Sequence, residues 1–328
     1  MSSERFEFAL NSGLILPETG RILLIAPKPD MRIDALAREG IEIFSRFAPD
    51  HHLWSQRGVA VKTTPDAPYA ATVVFLPRSK DLARAYLWQA AEVTPGGLLV
   101  VDGQKTDGIG PMAKALGVNN AIAGQISKAH GKLLWITDLV GVPADWQAKA
   151  AQIDGGFQTW PGVFSADGAD PASVALLTAL PSHLGRAVAD FGAGWGFLSR
   201  ALVEKQPERV HLVEADLNAL DCARQNIPNE RALFHWADAT DWQSPELLDS
   251  IIMNPPFHAG RKAEPTLGQT FIANAARNLK PTGQLWMVAN RHLPYEDTLA
   301  QYFRQFDEIG GDNRFKIFQA SRPTRNRR

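Results

Sequence analysis

The sequence has little cysteine, little net charge and no long apolar run. Its single cysteine, Cys222, excludes a disulfide within the chain and fits a reducing compartment. A formal net charge of −1 excludes a protein held on nucleic acid by bulk charge, although a local basic patch needs no net excess. The longest apolar stretches, AATVVFL and RILLIAP, are strand-sized, far short of the roughly 18 residues of a membrane span. The opening MSSERFEFAL carries Glu4, Arg5 and Glu7, and no apolar signal core follows, so export is not expected. The eight histidines form no HExxH and no Cys/His spacing. We therefore expect a cytoplasmic protein with no membrane contact and no metal.

What is present is alternation. In the second half the apolar runs AVADF, VHLVEA, ALFHWA, DSIIMN and QLWMVA are strand-like. Helical patterns lie between several of them, FLSRALVEKQ, LNALDCARQN and GQTFIANAARNL. In the last, Phe271, Ile272, Ala275, Ala276 and Leu279 form one apolar stripe. Strands alternating with helices predict a parallel sheet covered on both faces. FDEIGGDNRFKIFQA predicts a closing antiparallel hairpin.

The first half repeats the theme. GRILLIAP parallels GRAVADFG, ATVVFLPRSK parallels DSIIMNPPFH, and a Pro-x-Gly turn feeds the next strand in both halves. The expected fold is α/β, a tandem duplication of a doubly wound Rossmann-like domain, mostly parallel, with a C-terminal antiparallel hairpin. The boundary falls near residue 150, giving domains 1–150 and 151–328. The start of the second, with Phe157, Trp160 and Phe164, is too aromatic for a free linker and predicts a lip packed on that domain. Two domains in one chain can replace a dimer, so a monomer is expected.

Asp190-Phe191-Gly192-Ala193-Gly194-Trp195-Gly196 follows the first strand of the second domain. Glycines turn a backbone sharply and let a ligand approach, and a strand-to-helix turn is where doubly wound sheets bind nucleotides. A dinucleotide fingerprint needs G-x-G-x-x-G. Here the third glycine arrives one residue early, which disfavours a nicotinamide enzyme. Glu214, 22 residues after Gly192, is placed to accept both hydroxyls of a ribose. Its alternative is an acid at a helix start. Asp238, at the end of the third strand, is either a second ligand contact or a turn aspartate.

The fourth strand ends in Asn254-Pro255-Pro256-Phe257. Prolines just beyond a ladder cost little and stiffen the turn. The Asn254 side-chain oxygen and the Pro255 carbonyl are then two fixed acceptors for the two N–H groups of an exocyclic amine. Such a pair orients a weak nucleophile and stabilises the positive charge it develops. Phe257 stacks on the base.

The acidic-x-G-x-G-x-G loop resembles the first motif of class I S-adenosylmethionine (SAM) methyltransferases. With PGVFSADGAD, IIMNPPFHAG, GQLWMVANRHLPY and RFKIFQA, it makes the second domain similar to the methyltransferase small domain, RsmC-type ribosomal RNA guanine-N2 methyltransferases. The resemblance covers about half the chain. It implies SAM as cofactor, held by Asp190, Gly192, Ala193, Gly194, Gly196, Glu214, Asp238, Ala239 and Asn254. It implies catalysis by Asn254, Pro255 and Phe257, with Phe164 and Phe257 on the substrate. The implied partner is ribosomal RNA or a ribosomal subunit, the small one by expectation, and the first domain is implied to be a degraded copy. There IAPKPDM (25–31) replaces the glycine loop and LPRSK (76–80) replaces Asn-Pro-Pro-Phe, which predicts a scaffold or substrate grip, with Arg78, Lys80 and Arg84 either a solvated loop, the preferred reading, or phosphate contacts. ADPAS stands where a Gly-Ser pair is expected, predicting an altered lid. The same chemistry on large-subunit RNA, DNA adenine or a protein glutamine amide stays open, as does a non-catalytic SAM-binding assembly factor. The arginines of the tail SRPTRNRR are either a local patch or solvated.

Overall fold

A computed structural model describes residues 2–33, 40–256, 258–259, 262–263 and 265–324. Phe257 and the tail arginines Arg325, Arg327 and Arg328 lie outside the described residues. The chain divides into two compact units, 1–150 and 151–328.

The first unit runs α1 (Ser2–Leu10), β1 (Ile22–Ile25), β2 (Ile41–Phe44), α2 (Ala48–Gln56), β3 (Ala60–Lys62), β4 (Ala71–Phe75), α3 (Lys80–Val93), β5 (Leu98–Gln104), α4 (Ile109–Leu116), β6 (Gly124–Lys128) and β7 (Gly131–Ile136). The second opens with a short hairpin, β8 (Ala151–Ile153) and β9 (Phe157–Thr159), then α5 (Pro171–Ala179). Next come β10 (Ala187–Phe191), α6 (Phe197–Glu204), β11 (Arg209–Glu214), α7 (Leu217–Asn226), β12 (Ala232–Trp236) and β13 (Leu248–Met253). A two-residue pair, β14 (His258–Ala259) and β15 (Lys262–Ala263), precedes α8 (Pro265–Asn278). The unit closes with β16 (Leu279–Asn290), α9 (Glu296–Tyr302), β17 (Phe303–Gly311) and β18 (Phe315–Pro323).

The large sheets have the orders β3-β2-β1-β4-β5-β7-β6 and β12-β11-β10-β13-β16-β18-β17. These are one topology used twice, five parallel strands followed by an antiparallel pair. Every residue of β1, β4 and β10 is buried, the pattern of parallel strands covered on both faces. In the second unit Phe191, Phe271, Ile272 and Met287 fill one face, and Val188, Leu202, Leu212 and Ile252 fill the other. Each such side chain contributes roughly 1.5–3 kcal/mol of transfer free energy. The apolar stripe from Phe271 to Ala276 is buried on α8 as its spacing predicts, and Leu279, also buried, already belongs to β16.

The strand pairs relate the two units residue by residue. Leu98, after Gly97, pairs with Ala71, which pairs with Ile22. Gln284, after Gly283, pairs with Ser250, which pairs with Val188. Ile22 thus takes the place of Val188. Leu24 then stands at the register of Asp190, Ala26 at Gly192, Ser45 at Glu214 and Phe75 at Asn254. This lies one residue off the match of GRILLIAP with GRAVADFG, because β-pairing rather than the Gly-Arg dipeptide sets the register.

Candidate active site

The site lies at the carboxyl ends of β10, β11 and β13, where the strand order reverses from one side of β10 to the other. Gly192, Gly194 and Gly196 have φ of +75°, +56° and +93°, so the loop needs glycine three times. The Gly192 and Ala193 N–H groups donate to Val213 O (2.9 and 3.2 Å), folding the loop over the end of β11. A Cβ on Gly194 would meet nothing within 4 Å, so this turn faces open space. A Cβ on Gly196 would sit 2.8 Å from Ile227 Cδ1. Gly196→Ala is therefore expected to cost about 1–3 kcal/mol, read as a lowered unfolding midpoint. An unchanged midpoint would show that the loop relaxes without loss.

Asp190 is buried on β10. Its Oδ2 accepts from Ser199 Oγ (2.6 Å), and its Oδ1 has no partner among the described residues. Burial pushes this carboxyl up to about 7, against the Ser199 hydrogen bonds that lower it. Glu214, the last residue of β11, accepts from the Gly194 N–H at Oε2 and the Asp216 N–H at Oε1, both at 2.7 Å. It is pushed up to about 7 by burial, although these backbone bonds favour its ionised form. Each Glu214 oxygen keeps a second lone-pair direction.

Asp238 does not close β12, which ends at Trp236. It begins the turn beyond, accepting from the Thr240 N–H at Oδ1 (2.8 Å). Ala237 N–H donates to Glu214 O (3.1 Å), so the chain leaves β12 for this turn beside the end of β11. Ala239 places its side chain in the core, and its carbonyl accepts from Asn274 Nδ2 (2.9 Å).

Asn254 is the first residue past β13, so the prolines lie outside the ladder. Pro255 is buried and Pro256 exposed. Asn254 Nδ2 donates to Asp170 Oδ2 (2.8 Å) and to Ser173 Oγ (2.9 Å). Asp170 also caps α5, accepting from the Ser173 N–H (2.9 Å), with Pro171 at the first helical position. The stretch ADPAS thus keeps a serine that holds Asn254. Asp170 and Ser173 were missed as site residues. The D-P-x-S cap was legible, but nothing local shows a bond to a residue 84 positions away.

The lip packs as its aromatic content predicts. Phe157 meets Trp195 edge-on at 5.0 Å, and Trp195 Nε1 donates to Phe164 O (2.9 Å). Asn226 Nδ2 donates to Gln158 O (2.9 Å) and to Trp195 O (2.7 Å), joining lip and glycine loop. The Phe164 side chain is left 60% exposed. Phe164, Ala193, Gly194, Asp170, Ser173 and Asn254 line one pocket. Among the described residues no group of three His, Cys, Asp or Glu side chains is arranged to hold a metal. None of the described helices is long and apolar enough to cross a membrane.

Comparison with known proteins agrees with this geometry. The methyltransferase small domain family matches residues 154–319. Ribosomal RNA small subunit methyltransferase C of Hahella chejuensis is 30% identical over 330 residues, covering 93% of this chain and 95% of that protein. The Shewanella pealeana protein of the same name is 32% identical, covering 82% of this chain and 84% of its own. The structure of the T. thermophilus 16S rRNA N2 methyltransferase RsmC, in complex with AdoMet and guanosine, aligns with a TM-score of 0.78. It is 25% identical, and the alignment covers 94% of this chain and 90% of that one. A glycine-rich turn and Asn254 line one pocket of a duplicated α/β fold, a strand-end glutamate is bonded to that turn, and this chain belongs to the methyltransferase small domain family.

Proposed function

We propose that this protein transfers the methyl group of SAM to the exocyclic N2 amine of a guanine in small-subunit ribosomal RNA. The observation that carries the reading is the Asn254 amide, fixed at the pocket with its nitrogen bound and its oxygen without a donor among the described residues. The names of the relatives supply the RNA and its subunit.

The residues fit the cofactor. Asp190 has a buried acceptor without a partner among the described residues, and the Gly194 turn faces open space. Asp190, Gly192, Ala193, Gly194 and Gly196 would hold its methionine part, Glu214 its ribose hydroxyls and Asp238 with Ala239 its adenine end. When bound, SAM supplies a methyl group activated by a positive sulfonium. Asn254 Oδ1 and the Pro255 carbonyl accept the two amine N–H groups and aim the nitrogen. Both acceptors favour the charge that builds on nitrogen as the new bond forms, and the surplus proton then leaves to solvent. No strong general base is needed. Phe164, exposed at the pocket, and Phe257, by its place in the motif alone, are read as stacking on a base unstacked from its helix.

Replacing guanosine by inosine in the RNA deletes only the N2 amine. Inosine-substituted RNA should accept no methyl, while the guanosine transcript yields N2-methylguanosine on digestion and mass spectrometry. Methylation of the inosine RNA would move the acceptor to another atom.

The carboxyl of Glu214 predicts a pH dependence. It titrates near 7 in the unliganded protein, and the ionised form is the better acceptor for ribose hydroxyls. SAM affinity should therefore fall by up to about tenfold per unit as pH drops below 7, and level off above it. By the same sign, the raised pKa favours folding below the unfolded value, a contribution lost as pH rises through 7. Calorimetric titration of wild type and Glu214→Gln from pH 5.5 to 8.5 checks this. A slope that survives in the variant would assign the titration elsewhere, Asp190 first.

The first unit is read as a scaffold or substrate grip without a cofactor of its own. Leu24, Ser45 and Phe75 stand where Asp190, Glu214 and Asn254 stand in the second unit, and all three are buried. Arg84 is paired with Asp81 at 3.2 Å, and the three basic residues lie on or near the surface, with Lys80 and Arg78 exposed.

A further inference from the structure

We propose that Asp170 and Ser173 are positioning residues for methyl transfer, acting through Asn254 by fixing which end of its amide faces the acceptor amine. This rests on the function proposed above and adds two residues to its machinery.

An asparagine amide is nearly symmetric in shape, and its two ends have opposite chemistry. A rotation of 180° about its last bond would turn the Asn254 oxygen into an N–H donor. A donor cannot receive the N–H groups of an amine. The bonds to Asp170 Oδ2 (2.8 Å) and Ser173 Oγ (2.9 Å) use both Nδ2 hydrogens. In the rotated state Oδ1 would face the Asp170 carboxylate, acceptor against acceptor, and only the Ser173 hydroxyl could donate to it, so the carboxylate sets the preference. The carboxylate is itself held by the Ser173 N–H at 2.9 Å, so it is set by the first turn of α5 before substrate arrives.

The pair acts on charge as well as direction. A carboxylate accepting from the amide N–H pulls the amide toward its polarised form and raises negative charge on Oδ1. That charge matters most when the amine nitrogen becomes positive, in the transition state rather than the ground state. The expected signature is therefore a loss in kcat with little change in SAM affinity.

Three single variants and one double variant test this, measured by SAM titration, thermal unfolding and methylation of small-subunit RNA. Ser173→Ala removes one acceptor, and Asp170→Asn keeps a capping oxygen but removes the charge. Each should lower kcat about tenfold, and the double variant more, with the SAM dissociation constant within about twofold of wild type. Ser173→Thr restores the hydroxyl and should recover most of the rate. Normal kcat in both Ser173→Ala and Asp170→Asn overturns the proposal. So does a loss that tracks SAM affinity or the unfolding midpoint, or one that Ser173→Thr fails to rescue. A wild-type enzyme that transfers no methyl to RNA would instead overturn the proposed function itself.

Discussion

Asn254→Ala should lower kcat for methyl transfer by about 10²–10³-fold, because it deletes an acceptor aimed at charge that develops only in the transition state. The cofactor should still bind, since the loop from Asp190 to Gly196 and the Glu214 carboxylate are untouched. Asp170 and Ser173 lose a donor in this variant, but Asp170 keeps the Ser173 N–H and its role as the cap of α5. The fold should therefore survive, with the unfolding midpoint close to wild type. Single-turnover measurement with saturating SAM separates the two effects. A fall in SAM affinity as large as the fall in rate would place Asn254 in the cofactor site and leave the amine without its acceptor.

Glu214→Ala should weaken SAM binding about 100-fold, the second large effect. The ribose hydroxyls lose a charged acceptor, a loss of about 1.5–3 kcal/mol, or roughly 10–150-fold. The Gly194 and Asp216 N–H groups lose theirs with or without SAM, which loosens the loop and lowers stability more than affinity. Glu214→Gln keeps one oxygen and should fall between wild type and alanine. Equal affinity in all three proteins would mean that Glu214 shapes the loop from a distance and does not meet the cofactor.

Much of the fold was legible because its signals are local. The all-buried strands AVADF and ATVVF read as strands from composition alone, and α8 announced its buried face by spacing. The glycine loop was legible because backbone sterics demand glycine where φ is positive. The duplication was visible in order and pattern, but its register was not. Pairing between strands distant in sequence placed Leu24, not Ile25, opposite the role of Asp190. The support for Asn254 was hidden for the same reason. Asp170 and Ser173 stand at the start of α5, and only the fold brings that start to the end of β13. Asp238 lies in the turn beyond β12 and not at the strand end its place in the sequence suggested, because the strand stops at Trp236.

One measurement tests the central claim most directly. Ribosomal subunits from cells lacking this protein are incubated with methyl-labelled SAM and either the wild-type enzyme or Asn254→Ala, and the labelled nucleoside is identified in each fraction. The account predicts label in small-subunit RNA as N2-methylguanosine with wild type, and almost none with the variant. Label in protein, in large-subunit RNA or on another atom of the base, or undiminished label with Asn254→Ala, would contradict it.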